Sequence, residues 1–389
     1  MSAENEPPFL VFGAPDLRSE EIDEVVATLE SGWIGTGPKV AQFEEEFAAY
    51  KSVPPNRVAA VNSCTAALHV SMVAAGLQPG DEVITTAMTF CATVNAIIHA
   101  GATPVVVDID PDTYNISVDL LEQSITSKTR AILPVHFAGR PCDMDRICAL
   151  ADKHDLMLIE DCAHAIETQW HGQQAGTFGD FGCFSFYVTK NVVTGEGGMV
   201  LGQSREHIDK IKVLSLHGMS KDAWRRFGDE GFKHYEVVMA GFKYNMMDLQ
   251  AALGIHQLRR VERNWLRRQE IWGLYQQAFA ALPARCPAEP EAGTRHAYHL
   301  YTLEIDTETC GVSRDDALQR LNAMGIGTGV HYRSLARQPF YQERFGWQPE
   351  AYPASTAYGE RTLSLPLGSG LDDADVERVI DAVTTVLTT

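Results

Sequence analysis

Lys190 stands between an apolar run, Phe181 to Val188, and a cluster of glycines at Gly195, Gly197 and Gly198. An ammonium enclosed in this way loses solvation, its pKa falls, and the neutral amine can attack a carbonyl to form a Schiff base. The alternative is a solvated surface charge, the usual state of a lysine. Asp161, in Ile159-Glu-Asp-Cys-Ala-His164, closes another apolar run. It either caps the next helix or presents a carboxylate to a site, with His164 three residues on. Asn62-Ser-Cys-Thr65 joins a short apolar run to a helical pattern through Ala66, Leu68 and Val70. That turn is an N-cap, or else a cradle in which free N–H groups and two hydroxyls bind phosphate.

A lysine, an aspartate, a phosphate cradle and an aromatic at Phe90 meet the needs of one cofactor, pyridoxal phosphate. The lysine binds its aldehyde, the aspartate keeps its pyridine nitrogen protonated, the cradle takes the phosphate and the aromatic stacks on the ring.

These groups need strand ends to carry them. Runs at 57–61, 82–86, 101–108, 130–136, 156–160, 181–188 and 199–201 read as strands separated by helix-length segments. The aromatic and β-branched content of 181–188 predicts a buried strand delivering Lys190 at its end. Such alternation gives an α/β fold, a mostly parallel sheet flanked by helices, with functional groups at the strand C-termini. Ile22, Val25, Val26 and Leu29 predict a helix over 19–30, and Phe43, Phe47 and Tyr50 give the next one its stripe. Phe90 falls in the first turn of a helix starting near Met88. The polar segment 218–233 reads as a long mobile loop. The run Gly241 to Gln250 leads into a long amphipathic helix through Leu253, Leu258, Val261, Trp265, Ile271 and Tyr275, which bridges to a smaller C-terminal α+β domain with a strand at 299–305, a helix at 314–324 and a final helix at 372–387. There the run Gly325 to Arg333 reads as a strand with a basic end. The division expected is 1–250 for the large domain and 251–389 for the small one.

Composition narrows the partners. The 389 residues are 45% hydrophobic and carry a formal charge of −19, which disfavours nucleic acid and anionic membranes. No apolar run is long enough to span a bilayer and the first residues lack a signal-peptide pattern, so the cytoplasm is the expected location. Eight cysteines occur without a Cys-x-x-Cys pair, so reduced core thiols are expected and no metal site. No G-x-G-x-x-G follows the first strands, which argues against a dinucleotide dehydrogenase.

The chain resembles the DegT/DnrJ/EryC1/StrS nucleotide-sugar aminotransferases, of the aspartate-aminotransferase fold (type I), over nearly its whole length. The resemblance is carried by Ser63-Cys-Thr-Ala-Ala67, Glu160-Asp-Cys-Ala-His164, Gly182-Cys-Phe-Ser-Phe-Tyr-Val-Thr-Lys190, Gly195-Glu-Gly-Gly198 and Gly241-Phe-Lys-Tyr-Asn-Met-Met-Asp-Leu-Gln-Ala-Ala252. It implies Lys190 as the Schiff-base lysine, Asp161 as partner of the pyridine nitrogen, and His164 near the phenolic oxygen. It implies Phe90 on the ring and Thr65, Ala66 and Ser185 at the phosphate, with Asn245 reaching that phosphate from the other subunit of a homodimer. His331 and Arg333 are expected on the nucleotide-sugar side. The implied reaction moves an amino group from an amino acid, L-glutamate, to C4 of a UDP-linked keto-sugar. A lyase or decarboxylase on the same cofactor, or a non-catalytic regulator of the same fold, are the rival classes. Cys64 stands where glycine is frequent, and Glu167 where many members have glycine, without a role that the sequence explains.

Overall fold

The computed structural model describes residues 8–220 and 235–388. Seven strands form its main sheet: β1 (Val58–Val61), β2 (Glu82–Thr86), β3 (Thr103–Val107), β4 (Thr129–Ile132), β5 (Met157–Asp161), β8 (Phe181–Ser185) and β9 (Gly198–Gly202). Their order is β1-β9-β8-β5-β4-β2-β3. Strands from β8 through β5, β4 and β2 to β3 pair in parallel, and β9 alone runs against its neighbours. A two-stranded ribbon, β6 (Gln169–Trp170) with β7 (Gln173–Gln174), lies on the chain between β5 and β8.

Alternation along β8 shows how the sheet is covered. Phe181 and Cys183 pack with Leu68, Val70 and Ile211, from the helices Cys64–Ala74 and Arg205–Ser215. Phe184 and the following Phe186 point the other way, onto Phe43 and Phe47 of the helix Pro38–Tyr50, with ring centroids 5.1 Å apart in the pairs Phe43–Phe186 and Phe47–Phe184. Each fully buried phenylalanine contributes about 1.5–3 kcal/mol. By the two-residue period, Ser185 lies on the Cys183 face, the side of the helix Cys64–Ala74, and Asp161 shares that side with Ile159.

A second sheet, β10 (Ala284–Arg285), β11 (Tyr301–Ile305) and β12 (Thr362–Leu365), is antiparallel. Its Tyr301, Leu303 and Leu365 share a core with Ile271, Tyr275 and Phe279 of the helix Val261–Phe279 and with Val379 and Val383 of the helix Asp373–Thr388.

Several expected elements come out shorter. The strand expected over 181–188 stops at Ser185, because Ser185 pairs with Gly198 and the chain then turns, with the Lys190 amide bonded to the Tyr187 carbonyl at 2.8 Å. The run 130–136 pairs regularly only to Ile132, and 299–305 only from Tyr301. The segment 325–333 is not a strand. It makes single bridges, Ile326 to Leu10 and Gly329 to Ser364, and a Cβ at Gly327 would lie 2.6 Å from the Leu10 carbonyl oxygen, so the chain there is crossed too closely for a ladder. The bridging helix is two helices, Asp248–Arg259 and Val261–Phe279, meeting at Arg260. Most of the loop expected at 218–233 lies outside the described residues.

The helix Ser19–Glu30 is inverted relative to its hydrophobic pattern. Ile22, Val26 and Leu29 are exposed, while Glu21 and Thr28 are buried. Its inner face is held by polar contacts, Glu21 with Arg260 and Gln257, and Glu24 with Lys39 and His256. All eight cysteines are free thiols, and no described helix is long and apolar enough to cross a membrane.

Candidate active site

The site forms where β1, β5 and β8 end. Asp161 pairs with Cys183 across adjacent parallel strands, which places the turn bearing Lys190 next to it. Glu160 anchors the approach: it is fully buried and accepts the amides of Gly176, Phe178 and Gly179 at 2.7, 2.8 and 3.0 Å and a bond from His136 Nε2 at 3.1 Å. The described cluster of His136, Glu160 and Cys162 thus uses its carboxylate to fix the chain entering β8.

Asp161 is buried. One carboxylate oxygen accepts from the Thr93 hydroxyl at 2.8 Å and the other from the Ala163 amide at 3.1 Å. No described cationic side chain forms an ion pair with it, and burial raises its pKa against the weaker opposing pull of these hydrogen bonds and of Lys190. Burial also lowers the Lys190 pKa to about 8, which favours the neutral amine relative to a solvated lysine. A buried carboxylate without a described cation paired to it and a desolvated lysine within its electrostatic reach are what a cationic ring carrying an aldehyde would complete.

The phosphate side fits as well. Ser63 is the N-cap of the helix Cys64–Ala74, its hydroxyl accepting from the Ala66 amide at 3.1 Å. The Cys64 and Thr65 amides precede the first intrahelical bonds and point out of the helix start. Gly198 lets β9 reach this turn: a Cβ there would lie 2.5 Å from the Ser63 carbonyl carbon and 2.8 Å from the Cys64 nitrogen. Gly198→Ala is therefore expected to push the cradle out of place, costing about 1–3 kcal/mol of stability and weakening cofactor binding. Thermal unfolding and cofactor titration check this, and an unchanged Tm with unchanged binding would contradict it.

His164 is buried and held well below the usual histidine pKa, first by burial and then by Lys190. Its Nδ1 accepts the Ala138 amide at 3.3 Å, so the proton of the neutral ring is on Nε2, which donates to the Tyr332 hydroxyl at 3.1 Å. His331 is also held down, to about 4, and its Nδ1 meets Ser364 Oγ at 2.8 Å. Phe90 is the residue before the helix Cys91–His99 rather than in its first turn. It is 57% exposed, and its ring centroid lies 6.0 Å from that of Tyr332. Phe90 and Arg333 line one cleft of about 680 Å³ with Asn95, Gln338 and Phe340. Arg333 is exposed there and makes no ion pair or hydrogen bond among the described residues.

Asn245 stands apart. It bridges Val61 and donates to Thr36 Oγ1 at 2.6 Å, and it lines a different cavity, of about 880 Å³, together with Trp33, Asn62 and Lys243. Its Oδ1 is buried without a partner among the described residues. Sequence reasoning missed Thr93, Tyr332, Asn191 and His299. Tyr332 had a signal, its place between His331 and Arg333. Thr93 and His299 had none, since they reach the site only through the fold.

Known proteins resemble this chain throughout. The family described as the DegT/DnrJ/EryC1/StrS aminotransferase family matches residues 15–384. The spore coat polysaccharide biosynthesis protein SpsC of Bacillus subtilis (strain 168) is 50% identical over 376 residues, 96% of each chain. Among solved structures, the PLP-form of the putative sugar aminotransferase Spr1654 from Streptococcus pneumoniae superposes with a TM-score of 0.90 at 35% identity, over 97% of this chain and 98% of that one. DesI, solved in the presence of its TDP-sugar product, gives a TM-score of 0.86 at 31% identity, over 100% of this chain and 95% of that one.

Proposed function

The chain belongs to the DegT/DnrJ/EryC1/StrS aminotransferase family, whose enzymes work with pyridoxal 5'-phosphate, and from that premise we propose that it transfers an amino group from L-glutamate to C4 of a UDP-linked keto-sugar. The observation that carries this reading is the desolvated Lys190 within electrostatic reach of a buried Asp161 that forms no ion pair among the described residues. A lyase or decarboxylase would need no place for a nucleotide, whereas the cleft between Phe90 and Arg333 offers aromatic faces and an unpaired cation on a chain of net charge −19. That DesI was solved with a TDP-sugar product supports a nucleotide-linked acceptor.

When bound, the cofactor supplies an electron sink for the electron pair released at the donor's α-carbon. Lys190, Asp161, His164, Phe90, Thr65, Ala66 and Ser185 would hold it. Asp161 would favour a protonated pyridine nitrogen, and Thr93 and the Ala163 amide fix the carboxylate that would do so. Lys190 Nζ takes the proton from the donor's α-carbon. In the second stage the same amine delivers a proton to the sugar carbon that has received nitrogen. His164, kept neutral, adds no positive charge beside Lys190, and the Ala138 amide and the Tyr332 hydroxyl fix its ring. His331 and Arg333 face the nucleotide sugar. The cofactor-holding unit is 1–250 and the smaller unit 251–389.

Arg333→Ala tests the acceptor side. A hydrogen bond to a charged group is worth about 1.5–3 kcal/mol, so nucleotide-sugar binding should weaken roughly ten- to a hundredfold while the glutamate stage is unchanged. Stopped-flow absorbance of each stage separates them. Equal impairment of both stages, or of neither, would remove Arg333 from the nucleotide site.

The enzyme is a homodimer in this reading, with Asn245 serving the partner's phosphate site. Two observations support it: the outward apolar stripe Ile22, Val26 and Leu29, and the place of Asn245 on a cavity separate from the Phe90 cleft. Mixed dimers of Lys190→Ala and Asn245→Ala chains should regain one intact site. Mixed dimers that form from folded parents yet show no activity above either parent would contradict shared sites.

A further inference from the structure

Glu167 has no part in the chemistry above, yet it is fully buried a few residues beyond Asp161 and His164. One of its carboxylate oxygens pairs with Arg268 Nη2, itself buried on the helix Val261–Phe279. The other accepts from Asn191 Nδ2 at 2.9 Å. The same Nδ2 donates to the Ala297 carbonyl at 3.1 Å. Two acceptors on one side settle which way the Asn191 amide points, since only its NH2 can serve both. Its Oδ1 therefore faces His299 Nδ1, 3.0 Å away, and can only accept. His299 must then carry its proton on Nδ1, which leaves Nε2 as a hydrogen-bond acceptor. The imidazole is buried, its centroid is 4.4 Å from that of His164, and it lies within electrostatic reach of Lys190 and His331.

We propose that Glu167 is a positioning residue: through the Asn191 amide it fixes the turn that carries Lys190 and locks His299 as the Nδ1–H tautomer. Burial raises the Glu167 pKa against the opposing pull of Arg268, which holds the carboxylate in place for this task, and the bond chain runs from His299 through Asn191 and Glu167 to Arg268. Because Asn191 is the next residue after Lys190, a change of one amide orientation reaches both the lysine turn and the histidine wall of the site.

The importance of this geometry for catalysis rests on the assignment of Lys190 above, but its direct readout does not. In Glu167→Gln, Arg268 demands the new amide's oxygen, which turns the NH2 toward Asn191. Asn191 must flip to accept it, and its NH2 then faces His299, which has to accept at Nδ1. Nitrogen-15 NMR of histidine-labelled holoenzyme, with His299 assigned by His299→Gln, should show Nδ1–H in the parent and Nε2–H in Glu167→Gln. A paired variant, Glu167→Met with Arg268→Met, removes both buried charges and keeps the fold independent of the ion pair. There the Ala297 carbonyl alone still takes the Asn191 NH2, so His299 should stay Nδ1–H, and this pair is the control that separates loss of the buried charges from the amide flip. In Glu167→Gln kcat should fall on the order of ten- to a hundredfold with KM changed less than about twofold, the signature of misplaced rather than missing groups. A His299 signal that stays Nδ1–H in Glu167→Gln would overturn the proposal, whatever the activity. So would failure of both to fold, which would make Glu167 a structural residue only. A tautomer switch in a protein that aminates no sugar would uphold the positioning role and reject the functional reading instead.

Discussion

Lys190→Ala is expected to lose amination by at least about 10⁴-fold in kcat/KM, because one substitution removes both the amine that engages the cofactor and the group that moves the proton. The fold should survive, since the lysine sits in a turn after β8 and forms no ion pair that the core needs. Lys190→Arg should not rescue activity: a guanidinium stays protonated throughout the working range and cannot serve as base. Turnover with glutamate and a UDP-4-keto-sugar measures the loss, and retention of more than about a hundredth of the parent rate would contradict the assignment.

Asp161→Asn is expected to reduce kcat on the order of 10²- to 10³-fold, the scale of losing one oriented electrostatic partner in a water-poor site. Asparagine keeps the size and its oxygen can still accept the Ala163 amide, while its NH2 can only donate to the Thr93 hydroxyl, so the loss is of charge and of one accepted hydrogen bond. Stability should move the other way. The folded pKa of Asp161 is raised, mainly by burial, so without cofactor the ionised group costs stability. That cost is absent at low pH and sets in as pH rises from the unfolded carboxylate pKa through the folded one. The cofactor-free variant should therefore be as stable as the parent at low pH and no less stable near neutrality. A cofactor-free Asp161→Asn protein that melts well below the parent near neutrality would show that Asp161 is needed for the fold instead.

The parts of this architecture legible in the sequence are those where local pattern and burial agree. β2 spans the residues its pattern predicts, and the helix after Ser63 has its N-cap where the hydroxyls stand. The strand-end positions of Asp161 and the phosphate cradle follow from those patterns. Patterns failed where a neighbouring chain decides the outcome. The helix Ser19–Glu30 exists as expected, but its apolar face is outside, because Glu21 and Glu24 find cations on other helices. The run 325–333 alternates like a strand, yet Leu10 crosses it at Gly327. Glu167 could be noticed but not explained, since Asn191 and Arg268 lie 24 and 101 positions away in the chain. Asp161, Lys190 and His164 were legible by type and by their places after apolar runs, whereas the strand pairing that sets Asp161 beside Cys183 was not.

The most direct test of the central claim is where the cofactor is attached. Borohydride reduction of the holoenzyme, followed by protease digestion and peptide mass mapping, should place a pyridoxyl group on Lys190 and nowhere else. Modification at the buried Lys51 or at Lys243, or no modification with the cofactor bound, would contradict it.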